Sequence, residues 1–188
     1  MNKMKETLPY QLTIELFEGM TCPGIPVTKD LTFNVEFSEE EVTLIRKLVK
    51  DYTGDKSAGL MPILEDAAHD LYVRISDKAL DIIYDYFLVE GFKEGYFELD
   101  TDEQRKFFKK DMESGEFKPE EFIEDSMWFE EMPEDEEELM DLWEEWECSK
   151  ATVENATWLK ERYPNILEQL DVSEEQDYIC QIPDEFVA

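Results

Sequence analysis

Tyr10, Leu12, Ile14 and Leu16 alternate with Gln11, Thr13 and Glu15, a period of two that predicts a strand with one buried face. Leu31, Phe33, Val35 and Phe37 alternate in the same way with Thr32, Asn34 and Glu36. The Gly19–Pro26 stretch between them, with Pro23-Gly24 inside it, is a turn or loop, so the two strands form a β-hairpin with one wet face. The period then changes to that of a helix. Ser38 and Glu41 make a capping box, in which the Ser oxygen accepts a free helix amide and the Glu reaches back to the cap. Val42, Ile45, Leu48 and Val49 form the apolar stripe of this helix, which ends near Tyr52, and Arg46, Lys47 and Lys50 suit its C-terminal dipole.

From Pro62 to Val89 the spacing is again helical, with Ile63, Leu64, Ala67, Leu71 and Ile75 followed by Ala79, Ile82, Ile83, Tyr86 and Phe87. The pattern predicts two segments bending near Ser76-Asp77 and a stop at Gly91. Tyr96–Leu99 reads as a short strand, and Thr101 as the cap of a helix carrying Phe107 and Phe108. Pro119 and Pro133 read as first-turn helix prolines. The helix over Pro133–Glu147 puts Leu139, Leu142, Trp143 and Trp146 on one stripe, which predicts a core-facing surface. A further helix, Thr152–Tyr163, ends at Pro164, and Tyr178–Ile182 is a short strand closed by Pro183. The fold class expected is α+β: an N-terminal hairpin packed with several helices, then an acidic, mostly helical C-terminal half. The expected division is an α+β core over 1–110 and an acidic helical subdomain over 111–188, packed on the core rather than independent.

Charge changes this picture more than any motif does. Forty-nine acidic against 18 basic residues leave a net charge of −31, yet 42% hydrophobic and 13% aromatic content supplies a core. Aromatic richness of that order argues against a disordered polyanion. The acidity is concentrated: Asp111–Glu147 holds 18 acidic residues and one basic residue, Lys118, whereas residues 1–100 hold 20 and 10. Direct binding to nucleic acid or an anionic membrane is disfavoured, because phosphate contacts need Lys and Arg on one face. A basic protein partner fits, and a merely solvated acidic surface is the plainer alternative.

The three cysteines, Cys22, Cys148 and Cys180, are odd in number and far apart, as expected of reduced thiols in a cytoplasmic protein. Met1–Glu6 is followed by no apolar run typical of a secretion signal, and no stretch has the length of a membrane span. His69 is the one histidine, so imidazole-based catalysis would have to use it. C-x-x-C, H-E-x-x-H, EF-hand, Walker and G-x-G-x-x-G patterns are missing, and no cofactor or metal is expected. Among 49 acids, carboxylate pairs are inevitable and carry no information without three-dimensional placement.

The informative constellation is acid interleaved with large aromatics. The candidate partner-binding residues are Glu130, Glu131, Glu134, Asp135, Glu136, Glu137 and Glu138, together with Trp128 and Phe129. Two consecutive aromatics between acidic helices cannot both turn inward easily, and aromatics ringed by charge are typical of binding hot spots. Like charges at helical i,i+3 and i,i+4 spacing lie roughly 5–6 Å apart, a repulsion of ~0.7 kcal/mol per pair in water before screening by salt. A Lys- or Arg-bearing partner relieves it. The expected function is therefore non-enzymatic: an acidic interaction protein docking on a basic protein surface, with a nucleic-acid-mimicking inhibitor or immunity-type protein as its specific version. The alternatives are a carboxylate-based, divalent-metal-dependent enzyme and a structural domain with a solvated acidic surface.

Overall fold

The computed structural model describes residues 6–172 and 176–188; the expectation about a leader rests partly on residues 1–5, outside the described residues. Strand β1 (Thr7–Met20) pairs antiparallel with β2 (Pro26–Ser38), placing Tyr10 opposite Val35, Leu12 opposite Phe33 and Ile14 opposite Leu31. Leu12, Ile14, Leu16, Leu31, Val35 and Phe37 are buried, which is the alternation expected of a half-wet hairpin. The strands run further into the loop than the glycines and prolines suggest, with a register slip between Phe17 and Gly19 absorbing the extra twist.

Helix α1 (Glu39–Asp51) opens on the expected capping box: Glu41 N–H donates to Ser38 Oγ at 3.3 Å, and Ser38 N–H donates to Glu41 Oε2 at 2.8 Å. Val42, Ile45 and Val49 are its buried stripe. A single 3-10 turn (Lys56–Ala58) and the short helix α2 (Met61–Leu64) lead to α3 (His69–Lys93). Here two expectations are corrected. The helical stretch breaks at residues 65–68, and α3 runs straight through Ser76-Asp77, because Leu71, Ile75, Ala79 and Ile83 keep one unbroken buried stripe across that pair. Nor does Gly91 stop the helix. Gly95, at φ +71°, does so: its N–H donates to Phe92 O and Tyr96 N–H donates to Gly91 O, the paired bonds of a left-handed C-terminal cap.

The tail supplies β3 (Tyr178–Cys180), which pairs with the free edge of β1 and makes the sheet three-stranded in the order β2-β1-β3. Cys180 O accepts the Leu60 N–H at 2.7 Å. This approach is possible because Gly59, at φ +85°, has no side chain: a Cβ there would lie 2.3 Å from the same carbonyl oxygen. Helix α9 (Asp184–Val187) follows, and Phe186 joins Tyr10 and Phe37 in an aromatic group with centroids 5.5–6.0 Å apart. The protein is thus α+β, with a three-stranded antiparallel sheet and nine α-helices among the described residues.

The chain forms two units, Met1–Tyr84 with Val172–Ala188, and Asp85–Asp171, so the last turns of α3 belong to the second. The second unit adds α4 (Thr101–Ser114), α5 (Pro119–Phe122), α6 (Glu136–Lys150), a 3-10 turn (Val153–Asn155), α7 (Ala156–Arg162) and α8 (Ile166–Gln169). Tyr96–Leu99 is not a strand, because the amide and carbonyl of Glu98 bond the side chain of Gln169 and, among the described residues, no second strand pairs with it. Asp100 rather than Thr101 caps α4, and Pro133 precedes α6, whose cap is Asp135; in each case the carboxylate accepts the amide three residues on. Leu142, Trp143 and Trp146 are buried with Phe108 and Phe117, as the stripe on α6 predicts. A neighbouring cluster joins Leu88, Val89 and Phe92 of α3 to Leu159, Tyr163 and Ile166.

Candidate functional site

The second unit holds two acidic populations with opposite surroundings. Glu130, Glu131, Glu134, Asp135, Glu136, Glu137 and Glu138 are all exposed, and none has an ion-pair partner among the described residues. Four of them have a local reason to be acidic: Asp135 caps α6, while Glu136, Glu137 and Glu138 occupy its first turn, where the helix dipole favours negative charge. Further along α6, Asp141, Glu144 and Glu145 continue the acidic side at helical spacing, opposite the buried Leu142, Trp143 and Trp146.

Glu145 has a second task. Its Oε2 accepts the Ser126 hydroxyl and its Oε1 accepts the Met127 N–H, both at 2.5 Å. Ser126 Oγ in turn accepts the amides of Trp128 and Phe129, at 3.2 and 3.0 Å. This latch ties the 126–129 turn to α6 and splits the aromatic pair. Phe129 packs half-buried on the Trp143 cluster, and Trp128 is left 77% exposed beside an 82% exposed Met127. Between them and α6 lies an open cleft of about 860 Å³, walled by Phe122, Met127, Trp128 and Trp146 and bearing Asp125, Asp141, Glu144 and Glu145 against one cation, Lys93. Partial burial, reinforced by Asp141, raises the Glu144 pKa; burial and the neighbouring Glu147 and Glu144 hold the Cys148 thiol above its ordinary value.

The other population is interior. Asp111 on α4 and Glu147 on α6 are buried, and between them stands Arg162 of α7, also buried. Arg162 Nη2 and Nη1 donate to the two Asp111 oxygens at 2.5 and 3.3 Å, while Nε donates to Glu147 Oε1 at 2.9 Å. Trp143 Nε1–H donates to Asp111 Oδ2 at 2.9 Å, and the Tyr163 hydroxyl donates to the Glu147 carboxylate at 2.8 Å. The guanidinium carbon lies 4.4 Å from the Phe107 ring centre and 4.6 Å from that of Trp158, so aromatic faces enclose the cation while its edges meet carboxylates.

One cation against two anions leaves a surplus negative charge inside this network. Burial accordingly pushes the Glu147 pKa up to about 7 against the opposing bonds from Tyr163 and Arg162, and it raises that of Tyr163, which Glu147 raises further. Burial opposes the Arg162 charge too, but the bonds to Asp111 and the field of both acids prevail and raise its pKa.

Sequence reasoning missed this network, and one signal could have found it. Asp111 and Glu147 both sit in the last turn of a helix, where the dipole disfavours an acid unless a cation lies beside it. The network is enclosed: Asp111 and Glu147 are each 1% exposed and Arg162 6%.

Elsewhere, His69 is exposed at the start of α3 with its ring stacked on Tyr72. Cys22 is exposed, Cys148 half-buried and Cys180 buried, with no disulfide among them. Among the described residues no group of three His, Cys, Asp or Glu is placed to hold a metal ion, and no helix is long and apolar enough to cross a membrane. Set against models of protein families, curated proteins and solved structures, the chain matches none, which leaves its own geometry as the ground for a functional reading.

Proposed function

We propose that this is a non-enzymatic, acidic interaction protein whose second unit docks on a basic protein surface. The observation that supports it is the separation of the acids in that unit. The interior pair has an internal cation, whereas Glu130, Glu131, Glu134 and Glu136–Glu138 face solvent without one among the described residues. Side chains left in that state repel one another, and Lys or Arg from a partner turns the repulsion into attraction, with fast, salt-sensitive association. A narrower form is nucleic-acid mimicry: Glu137, Asp141 and Glu144 lie at i, i+4 and i+7 on α6, a row of negative charge on a rigid rod. In this form the protein occupies a nucleic-acid-binding cleft as an inhibitor or immunity-type protein.

The test is a pull-down with the full chain at about 50 mM and about 500 mM salt, which moves the screening length from above 10 Å to about 4 Å. A partner retained at low salt only is expected. The six-residue variant Glu130, Glu131, Glu134, Glu136, Glu137 and Glu138→Gln keeps the Asp135 cap and should lose that partner; undiminished capture by the variant overturns the proposal.

A further inference from the structure

Three of the four tryptophans already have a cation near the ring. Arg162 lies 5.8 Å from the Trp143 ring centre and 4.6 Å from that of Trp158, and Lys150 lies 4.6 Å from Trp146 and 5.2 Å from Trp158. Trp128 differs from all of them. Among the described residues it has neither a cation nor a ring partner, and the Glu145–Ser126 latch holds it outward. The cleft beside it combines carbon walls with four carboxylates. Water solvates an isolated carboxylate well but an exposed indole and thioether poorly, so such a surface gains most from an occupant that is apolar and cationic together.

We infer that the cleft beside α6 receives an arginine flanked by apolar residues on a partner protein. Its guanidinium stacks on Trp128, its edge N–H groups reach the carboxylates of Asp141 and Glu144, and the flanking apolar side chains cover Met127 and Phe122. Arginine fits better than lysine because its planar, weakly hydrated head can stack and donate in the same pose, as Arg162 does inside this unit. The volume of about 860 Å³ is ample for one such side chain and its neighbours. This inference rests on the docking proposal and sharpens it to one subsite.

The experiment titrates the full chain with a short capped peptide alternating leucine and arginine, with its lysine and citrulline counterparts, and with spermine. The arginine peptide should bind, with affinity about tenfold weaker for citrulline and weaker also for lysine. Trp128→Ala, at an exposed position whose loss leaves the core intact, should weaken the arginine peptide by about tenfold, the loss expected of one stacked, partly desolvated cation–π contact. Glu144→Gln, a second variant in the cleft, should weaken it too.

Equal binding by the citrulline peptide, or no loss in either variant, overturns the inference. Spermine binding that depends on Trp128, with no peptide binding, overturns it in favour of a small polyamine. The six-residue glutamine variant separates the two proposals. If it loses the protein partner while Trp128→Ala leaves the peptide untouched, docking stands and this subsite falls. If Trp128→Ala weakens the peptide while the glutamine variant keeps the partner, the subsite stands and the wider acidic face falls.

Discussion

The first unit keeps its charge on the outside, whereas the second is built around charge. In the first, buried side chains are almost wholly apolar, and carboxylates such as Glu41 serve as caps or half-exposed partners, here of Arg74 at 2.7 Å. In the second, Asp111, Glu147 and Arg162 occupy the interior among Trp143, Trp158, Phe107 and Tyr163. Apolar packing tolerates many side-chain choices of similar volume, but a buried charge needs its own partner and tolerates few. The second unit is therefore expected to be the more brittle to single substitutions in its interior.

Breaking the network should produce the largest effect. Arg162→Met strands two carboxylates in the interior and should cost about 3–5 kcal/mol in the second unit. All four tryptophans lie in that unit, so tryptophan fluorescence during urea unfolding reports on it. A loss below about 1 kcal/mol, the size of an exposed ion pair, would erase the contrast between the units.

The first unit should be most sensitive at its backbone. Gly59→Ala combines a φ of +85° with a Cβ 2.3 Å from the Cys180 carbonyl oxygen. About 1–3 kcal/mol of strain is expected from the dihedral alone, together with faster hydrogen exchange at the Leu60 amide. Unchanged exchange there would mean that β3 is not held by this contact.

The third effect is a pH dependence confined to the second unit. Burial raises the Glu147 pKa from 4.5 to about 7, so folding takes up a proton between those values. Its contribution to stability is full below about 4.5 and declines as pH rises through about 7. Glu147→Gln keeps acceptors for Arg162 and Tyr163 but cannot titrate. The difference in urea midpoint, wild type minus variant, should fall from pH 5 to pH 8; a flat difference would mean that Arg162 keeps Glu147 charged throughout.

What could be read from the residues follows a physical divide. The hairpin, the Ser38–Glu41 box, the α1 stripe and the burial of Trp143 and Trp146 are encoded by neighbours within one turn or one strand, and all are present in the fold. The exposure of Trp128 and the inward turn of Phe129 depend on Glu145, some 18 residues away, and periodicity cannot carry that. The Asp111–Arg162 pair spans 51 residues, and β3 meets β1 across more than 160. Local differences have local causes: Gly91, a stop signal in the sequence, is helical and its bare Cα accommodates the Phe97 ring, while Gly95 makes the left-handed turn.

The division of the chain also bears on synthesis. The first unit is completed by residues from beyond the second, and β1 gains its last neighbour only when Tyr178–Cys180 has been made. Until the ribosome delivers that segment, β1 presents amides and carbonyls that any passing extended peptide could pair with. A nascent chain stalled before residue 178 should accordingly attract chaperones and self-associate, a hazard that ends when Tyr178–Cys180 docks on β1.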